Sequence, residues 1–131
     1  MIVVDVNVMA YLFLPSEFTD QAEKLMAADP DWVAPPLWRS EFRNILANYL
    51  RKGLLTLDKA LEIQREAETQ MADSEREPDS AEVLRLAQNS GCSAYDCEYV
   101  ALARALQIKL VSHDKKLARA FPKTALSLSE F

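Results

Sequence analysis

The chain has 131 residues, half of them hydrophobic, and a formal net charge of −5. That is enough apolar material for one core, so residues 1–131 are expected to form a single soluble domain. The negative balance excludes a general attraction to phosphate backbones, and any nucleic-acid contact has to rest on local basic groups or bound cations.

The chain opens MIVVDVNVMAYLFL. Ile2 to Val4 is an apolar, β-branched run suited to a strand covered on both faces in a parallel sheet. Asp5 ends that run, and Asn7 interrupts the apolar stretch behind it. With no basic leader ahead of this stretch, a signal peptide is not expected. Nowhere is there the run of roughly 20 apolar residues that a membrane span needs. Cys92 and Cys97 read as reduced, buried thiols, and the expected location is cytoplasmic.

Residues 7–13 predict a short helix before Pro15, and TDQAEKLMAADP a second, capped by Thr19 and stopped before Pro30. WVA (32–34) reads as a strand. PPLWRSEFRNILANYLRKG is the clearest helix, with Leu37, Phe42, Ile45, Leu46, Tyr49 and Leu50 at helical spacing and Gly53 as its stop. TLDKALEIQREAETQM follows as a charge-laced helix capped by Thr56, with Leu57, Leu61 and Ile63 as its apolar positions. ADSEREPDS is a polar loop with room for a short edge strand. Asp79 and Glu82 make a capping box for the next helix, and Ser93 caps AYDCEYVALARALQ. KLVS (109–112) is a strand, HDKKLARAF a short helix before Pro122, and ALSL (125–128) a final strand.

Strands separated by helices need crossover connections. The expected fold is α/β, a three-layer α/β/α sandwich around a mostly parallel central sheet of four to five strands.

In such a sheet, ligands bind beyond the carboxyl ends of the strands. Asp5 ends the first strand, Asp114 lies just past KLVS, Asp96 is in the first turn of its helix, and Glu41 is in the first turns of the helix after WVA. Singly, each is adequately explained as a cap, a dipole partner or a solvated residue. Together they would repel strongly, and such a cluster either takes up protons or holds a hard cation. Oxygen donors without Cys or His suit Mg²⁺ or Mn²⁺.

VVDVNVMAYLFL, WRSEFRNIL, SAYDCEYVALARAL and LVSHDKKLARAF resemble the four signature blocks of the PIN-domain ribonucleases, in particular the VapC toxins of type II toxin–antitoxin modules. The resemblance runs in order over nearly the whole chain. It implies a PIN-like fold, an Mg²⁺- or Mn²⁺-dependent endoribonuclease that hydrolyses RNA phosphodiester bonds, a small cognate antitoxin protein as partner, and a homodimer. The family's acidic quartet falls on Asp5, Glu41, Asp96 and Asp114, with Asp5, Asp96 and Asp114 as metal ligands and Glu41 as a ligand or the orienter of the attacking water. Asn7 and Ser112 fall on polar positions that hydrogen-bond the carboxylates or a metal-bound water. Glu98, two residues from Asp96 on a helix, points elsewhere and is left out.

Arg39, Arg43, Lys115, Lys116 and Arg119 lie in segments flanking these acids and are candidates to meet RNA phosphates, against the alternative that they are ordinary solvated residues. His113 is expected to be an exposed loop residue. Trp32 and Trp38 are expected to pack, with base stacking the alternative for Trp38. Phe13, Leu14 and Phe18 form either a partner surface or a loop folded onto the core. Two competing readings stand beside this one: a PIN-type nuclease of RNA processing or acting on DNA, and a non-catalytic interaction domain whose acids are only caps. A phosphatase with Asp5 as nucleophile is disfavoured, because the second acid that such chemistry places two residues on is Asn7 here.

Overall fold

The computed structural model describes residues 1–131. The apolar run Ile2–Val4 forms β1, an interior strand between two parallel neighbours, and is buried along its whole length as in sheets whose faces are covered by crossover helices. β2 (Trp32–Val33) pairs with it in the register Ile2–Trp32 and Val3–Val33. On the other side β3 (Leu110–Ser112) aligns Val3 with Leu110 and Val4 with Val111, and β4 (Ala125–Ser127) pairs beyond β3. All pairings are parallel, in the order β2-β1-β3-β4. The final strand is one residue shorter than expected, since Leu128 already belongs to a 3₁₀ turn.

Seven helices make the crossovers: α1 (Val6–Phe13), α2 (Thr19–Ala28), α3 (Trp38–Arg51), α4 (Leu57–Met71), α5 (Ser80–Ser90), α6 (Ala94–Leu106) and α7 (Lys115–Ala120). Where a polar side chain precedes a helix, it caps as its chemistry directs. Thr56, Asp79 and Ser93 accept the backbone N–H of Lys59, Glu82 and Asp96. The Asp79 box closes on one side only, because the Glu82 carboxylate faces Arg85 and Arg104. Thr19 does not cap α2. Its hydroxyl accepts the Ser16 N–H at 2.9 Å and donates to the Leu14 carbonyl at 3.3 Å, so it is used up in the turn before the helix. At the other end of α5, Gly91 takes φ +74°, the left-handed turn that suits glycine.

The loop ADSEREPDS contributes a single parallel bridge, Ala34 to Glu75, flanked by Ala34 N–H to the Ser74 carbonyl and Arg76 N–H to the Ala34 carbonyl. Its acidic residues and Pro78 suit no longer strand.

Trp38, Phe42, Met9, Leu25 and Met71 are among the largest fully buried side chains. Trp38 meets Phe42 edge-on at 5.9 Å, an arrangement worth about 0.5–1.5 kcal/mol beyond its buried area. Leu14 is buried, Phe13 packs edge-on against Phe42 at 6.1 Å, and Phe18 lies against Tyr11 at 4.9 Å, so this apolar loop is folded onto the core. No helix is long and apolar enough to cross a membrane.

Candidate active site

β1 and β3 end side by side, and the site starts there. The Asp5 N–H continues the ladder to the Val111 carbonyl at 3.2 Å, which sets the Asp5 side chain beside Ser112. Both oxygens of that carboxylate are fixed. Oδ1 accepts the Val8 N–H at 3.0 Å and so caps α1, while Oδ2 accepts the Ser112 hydroxyl and the His113 N–H at 3.1 Å. Asp5 is buried, and burial raises its pKa above the ordinary carboxylate range although these hydrogen bonds act in the opposite direction.

The Ser112 hydroxyl has a second use, accepting the Asp114 N–H at 2.9 Å. One fully buried oxygen therefore ties the acid that ends β1 to the acid that starts α7. Asp114 in turn caps α7, with Oδ1 accepting the N–H groups of Lys116 at 2.9 Å and Leu117 at 3.4 Å.

Asp96 is held in the first turn of α6 by the Ser93 cap. Burial raises its carboxyl, the Ser93 hydrogen bond opposes this, the negative charge of Asp114 adds to it, and Lys116 works against it. Glu41, in the first turn of α3, is raised by burial and by the charges of Asp96, Asp5 and Glu98, against a hydrogen bond from Tyr99. Four acids from four segments thus act on one another electrostatically. Their repulsion is the expense that a cation would relieve.

Tyr99 is the residue that sequence reasoning missed. Its hydroxyl donates to Glu41 Oε1 at 2.6 Å, and burial together with the Glu41 charge raises its own pKa far above the usual range. The available signal was its place three residues after Asp96, on the same face of α6.

Other expected residues fall in several places. Asn7 lines a cleft of about 500 Å³ together with Glu41 and is not hydrogen-bonded to any of the four carboxylates. Glu98 lines a separate cavity with Glu77, though its charge is felt at Glu41. Lys115 and Arg119 line a groove of about 610 Å³ with Ser127 and Ser129, and Lys116 faces the Asp96 charge. Arg43 stays exposed on α3, two residues from Glu41 and so on another face.

Arg39 needs correcting. Rather than facing the site, its guanidinium grips Glu75 through Nε at 2.7 Å and Nη2 at 3.0 Å, and Glu68 through Nη1 at 2.9 Å. Trp38 donates to the same Glu75 at 2.8 Å and is fully buried, so it packs rather than stacks on bases. The His113 ring is not simply exposed either; it packs between Phe18 at 4.6 Å and Tyr11 at 5.2 Å.

No three His, Cys, Asp or Glu side chains are gathered tightly enough to enclose an ion. The donor set nevertheless fits Mg²⁺ or Mn²⁺. It consists of hard oxygens only, Asp5, Glu41 and Asp96 are pushed up by burial, the latter two also by neighbouring acids, and Mg²⁺ commonly binds through one or two carboxylates while keeping several waters.

The family model described as "PIN domain" matches residues 2–121. A protein named Ribonuclease VapC3, from Pyrobaculum aerophilum, is 34% identical over 125 residues, covering 92% of this chain and 95% of that protein. Among solved structures, PAE2754 from Pyrobaculum aerophilum superposes with a TM-score of 0.73 at 23% identity, covering 98% of this chain and 90% of that one. FitAcB from Neisseria gonorrhoeae gives 0.76 at 17% identity with both chains fully covered. A FitAB complex described as bound to an IR36 DNA fragment gives 0.75 at 17% identity, covering all of this chain and 97% of the other. The three solved structures, all under 25% identical, speak for the fold alone, whereas the family model and the relative at 34% each span nearly all of the sequence: the chain belongs to the PIN domain family.

Proposed function

We propose that this protein is an Mg²⁺- or Mn²⁺-dependent endoribonuclease, the toxin of a VapBC-type toxin–antitoxin pair. The observation that carries this reading is the set of carboxylates Asp5, Glu41, Asp96 and Asp114, which arrive from four segments, with the charges of Asp5 and Asp96 felt at Glu41 and that of Asp114 felt at Asp96. The 34% identity to Ribonuclease VapC3 supports it. It acts in the cytoplasm on RNA, as a homodimer, and is silenced by a small cognate antitoxin.

Asp5, Asp96 and Asp114, with Glu41, are the residues that would hold the ion. When bound, the ion lowers the pKa of a water and offsets charge developing at phosphorus. The chain's own groups do the positioning. Asp5 is clamped by Val8, Ser112 and His113 and cannot swing away, so it presents one fixed carboxylate. Glu41, with one oxygen bound by Tyr99 and its pKa raised, is placed to orient the attacking water and take its proton. Lys115 and Lys116, which follow Asp114, and Arg119 in the last turn of the same helix would receive the phosphate backbone.

Cleavage of RNA by purified wild-type and Asp5→Asn protein tests this. Asparagine also caps helices, so the variant is expected to fold. Cleavage should disappear in it, and equal activity in the two proteins would refute the assignment.

A further inference from the structure

Resting on the ribonuclease reading, we infer that the cleft between α1, α3 and the start of α6 holds a nucleobase of single-stranded RNA next to the scissile phosphate, stacked on Tyr95. Glu41 forms part of the wall of this cleft of about 500 Å³, so its contents lie beside the reacting groups. Its chemistry is unsuited to a phosphate. The walls carry no Lys or Arg, and Glu41 would repel an anion. What they offer is apolar surface from Val6, Leu37 and Ile45, with the neutral polar groups of Asn7, Ser40 and Asn44. An apolar slot with a few amides and a hydroxyl suits an uncharged, flat, edge-polar group.

Tyr95 supplies the platform. It is 64% exposed, while Cys97, Tyr99 and Val100 on the same helix are buried, so the core has no use for its ring. It sits immediately before Asp96 and lines the cleft with an exposed ring. The basic groups Lys115 and Arg119 line a different groove, with Ser127 and Ser129. A strand lying across the acids would then place its backbone on the α7 side and one base on the α3 side. Asn44, three residues after Glu41, and Ser40, immediately before it, are the groups able to read that base's edge.

Equilibrium binding of fluorescent ten-nucleotide RNAs, each made of a single base, is measured on Asp5→Asn protein with and without Tyr95→Ala, in Mg²⁺. Tyr95→Ala should weaken binding about tenfold, the contribution of roughly one stacked base, and Tyr95→Phe should restore it. Asn44→Ala should change the order of preference among the four RNAs. Binding within twofold of the parent in Tyr95→Ala, with the order unchanged in Asn44→Ala, would overturn the inference. Failure of the wild-type protein to cleave the same RNAs in Mg²⁺, read in parallel, speaks instead against the ribonuclease reading.

Discussion

Tyr99 donates its phenolic hydrogen to Glu41 across 58 residues of sequence, a bond of 2.6 Å from α6 to α3. It is the one direct side-chain hydrogen bond between these helices that reaches an acid of the site. Tyr99→Phe keeps the buried ring and frees the Glu41 carboxylate to turn. The variant should fold and melt close to wild type, while RNA cleavage falls by about 10- to 100-fold, as for other groups that hold a ligand in place. Steady-state kinetics beside a thermal melt would check this. Unchanged turnover would mean that Glu41 needs no positioning.

Stability should depend on pH in an unusual direction. Asp5, Glu41 and Asp96 have pKa values above their ordinary 3.8 and 4.5, each chiefly from burial. From the ordinary range up to the raised values, the folded chain therefore binds more protons than the unfolded chain, and stability falls as pH rises through that window. Glu75 behaves oppositely. The Arg39 hydrogen bond lowers its pKa, so its contribution is present above 4.5 and is lost only as pH drops below that value. Metal-free protein should thus melt at a higher temperature in mildly acidic buffer than at neutral pH. Saturating Mn²⁺ should raise the neutral value most and flatten the profile. Calorimetric scans across the range with EDTA and with Mn²⁺ would show it, and a metal-free profile rising toward neutral pH would contradict it.

The Arg39–Glu75–Trp38 cluster separates two kinds of cost. Arg39 is one-third exposed, so Arg39→Ala should lose about 1 kcal/mol or less, as partly solvated ion pairs do. Glu75→Ala also strips the acceptor from the fully buried Trp38 Nε1–H and should cost about 1–3 kcal/mol. Urea denaturation of the two variants would rank them. Arg39→Ala should leave RNA affinity unchanged.

Lys115 and Arg119 share the groove beyond Asp114. Removing either should weaken RNA binding for all sequences alike and lower the salt dependence of log K by about 0.7, the value for one contact to single-stranded nucleic acid. Titrations at several salt concentrations give this slope directly. Steeper loss for one sequence than another would assign these residues to base reading instead.

What was legible in the sequence follows local rules. Asp5 terminating an apolar strand, Asp114 and Ser93 capping, and Asp96 in a first turn depend on neighbours within four residues, and the structure has each in that place. The parallel sheet follows from helices standing between strands. Contacts between distant segments were not legible. Arg39 reads as a candidate phosphate contact because its partners are 29 and 36 residues away, and nothing near Tyr99 marks it as the partner of Glu41. Thr19 reads as a cap but is not one, because a hydroxyl at the start of a helix can serve the preceding turn as well as the helix, and here the turn Leu14–Ser16 takes it. His113 drew its aromatic neighbours from α1 and the segment just before α2.

If acids from separate segments act as one divalent-cation site, each of them should be needed for the ion to bind. Calorimetric titration of Mn²⁺ into wild type and into Asp5→Asn, Asp96→Asn and Asp114→Asn tests this joint site most directly. Binding should be present in wild type and weakened at least tenfold in every variant, although the three residues belong to three different elements. No binding to wild type, or binding that survives all three substitutions, would show these carboxylates to be helix caps and nothing more.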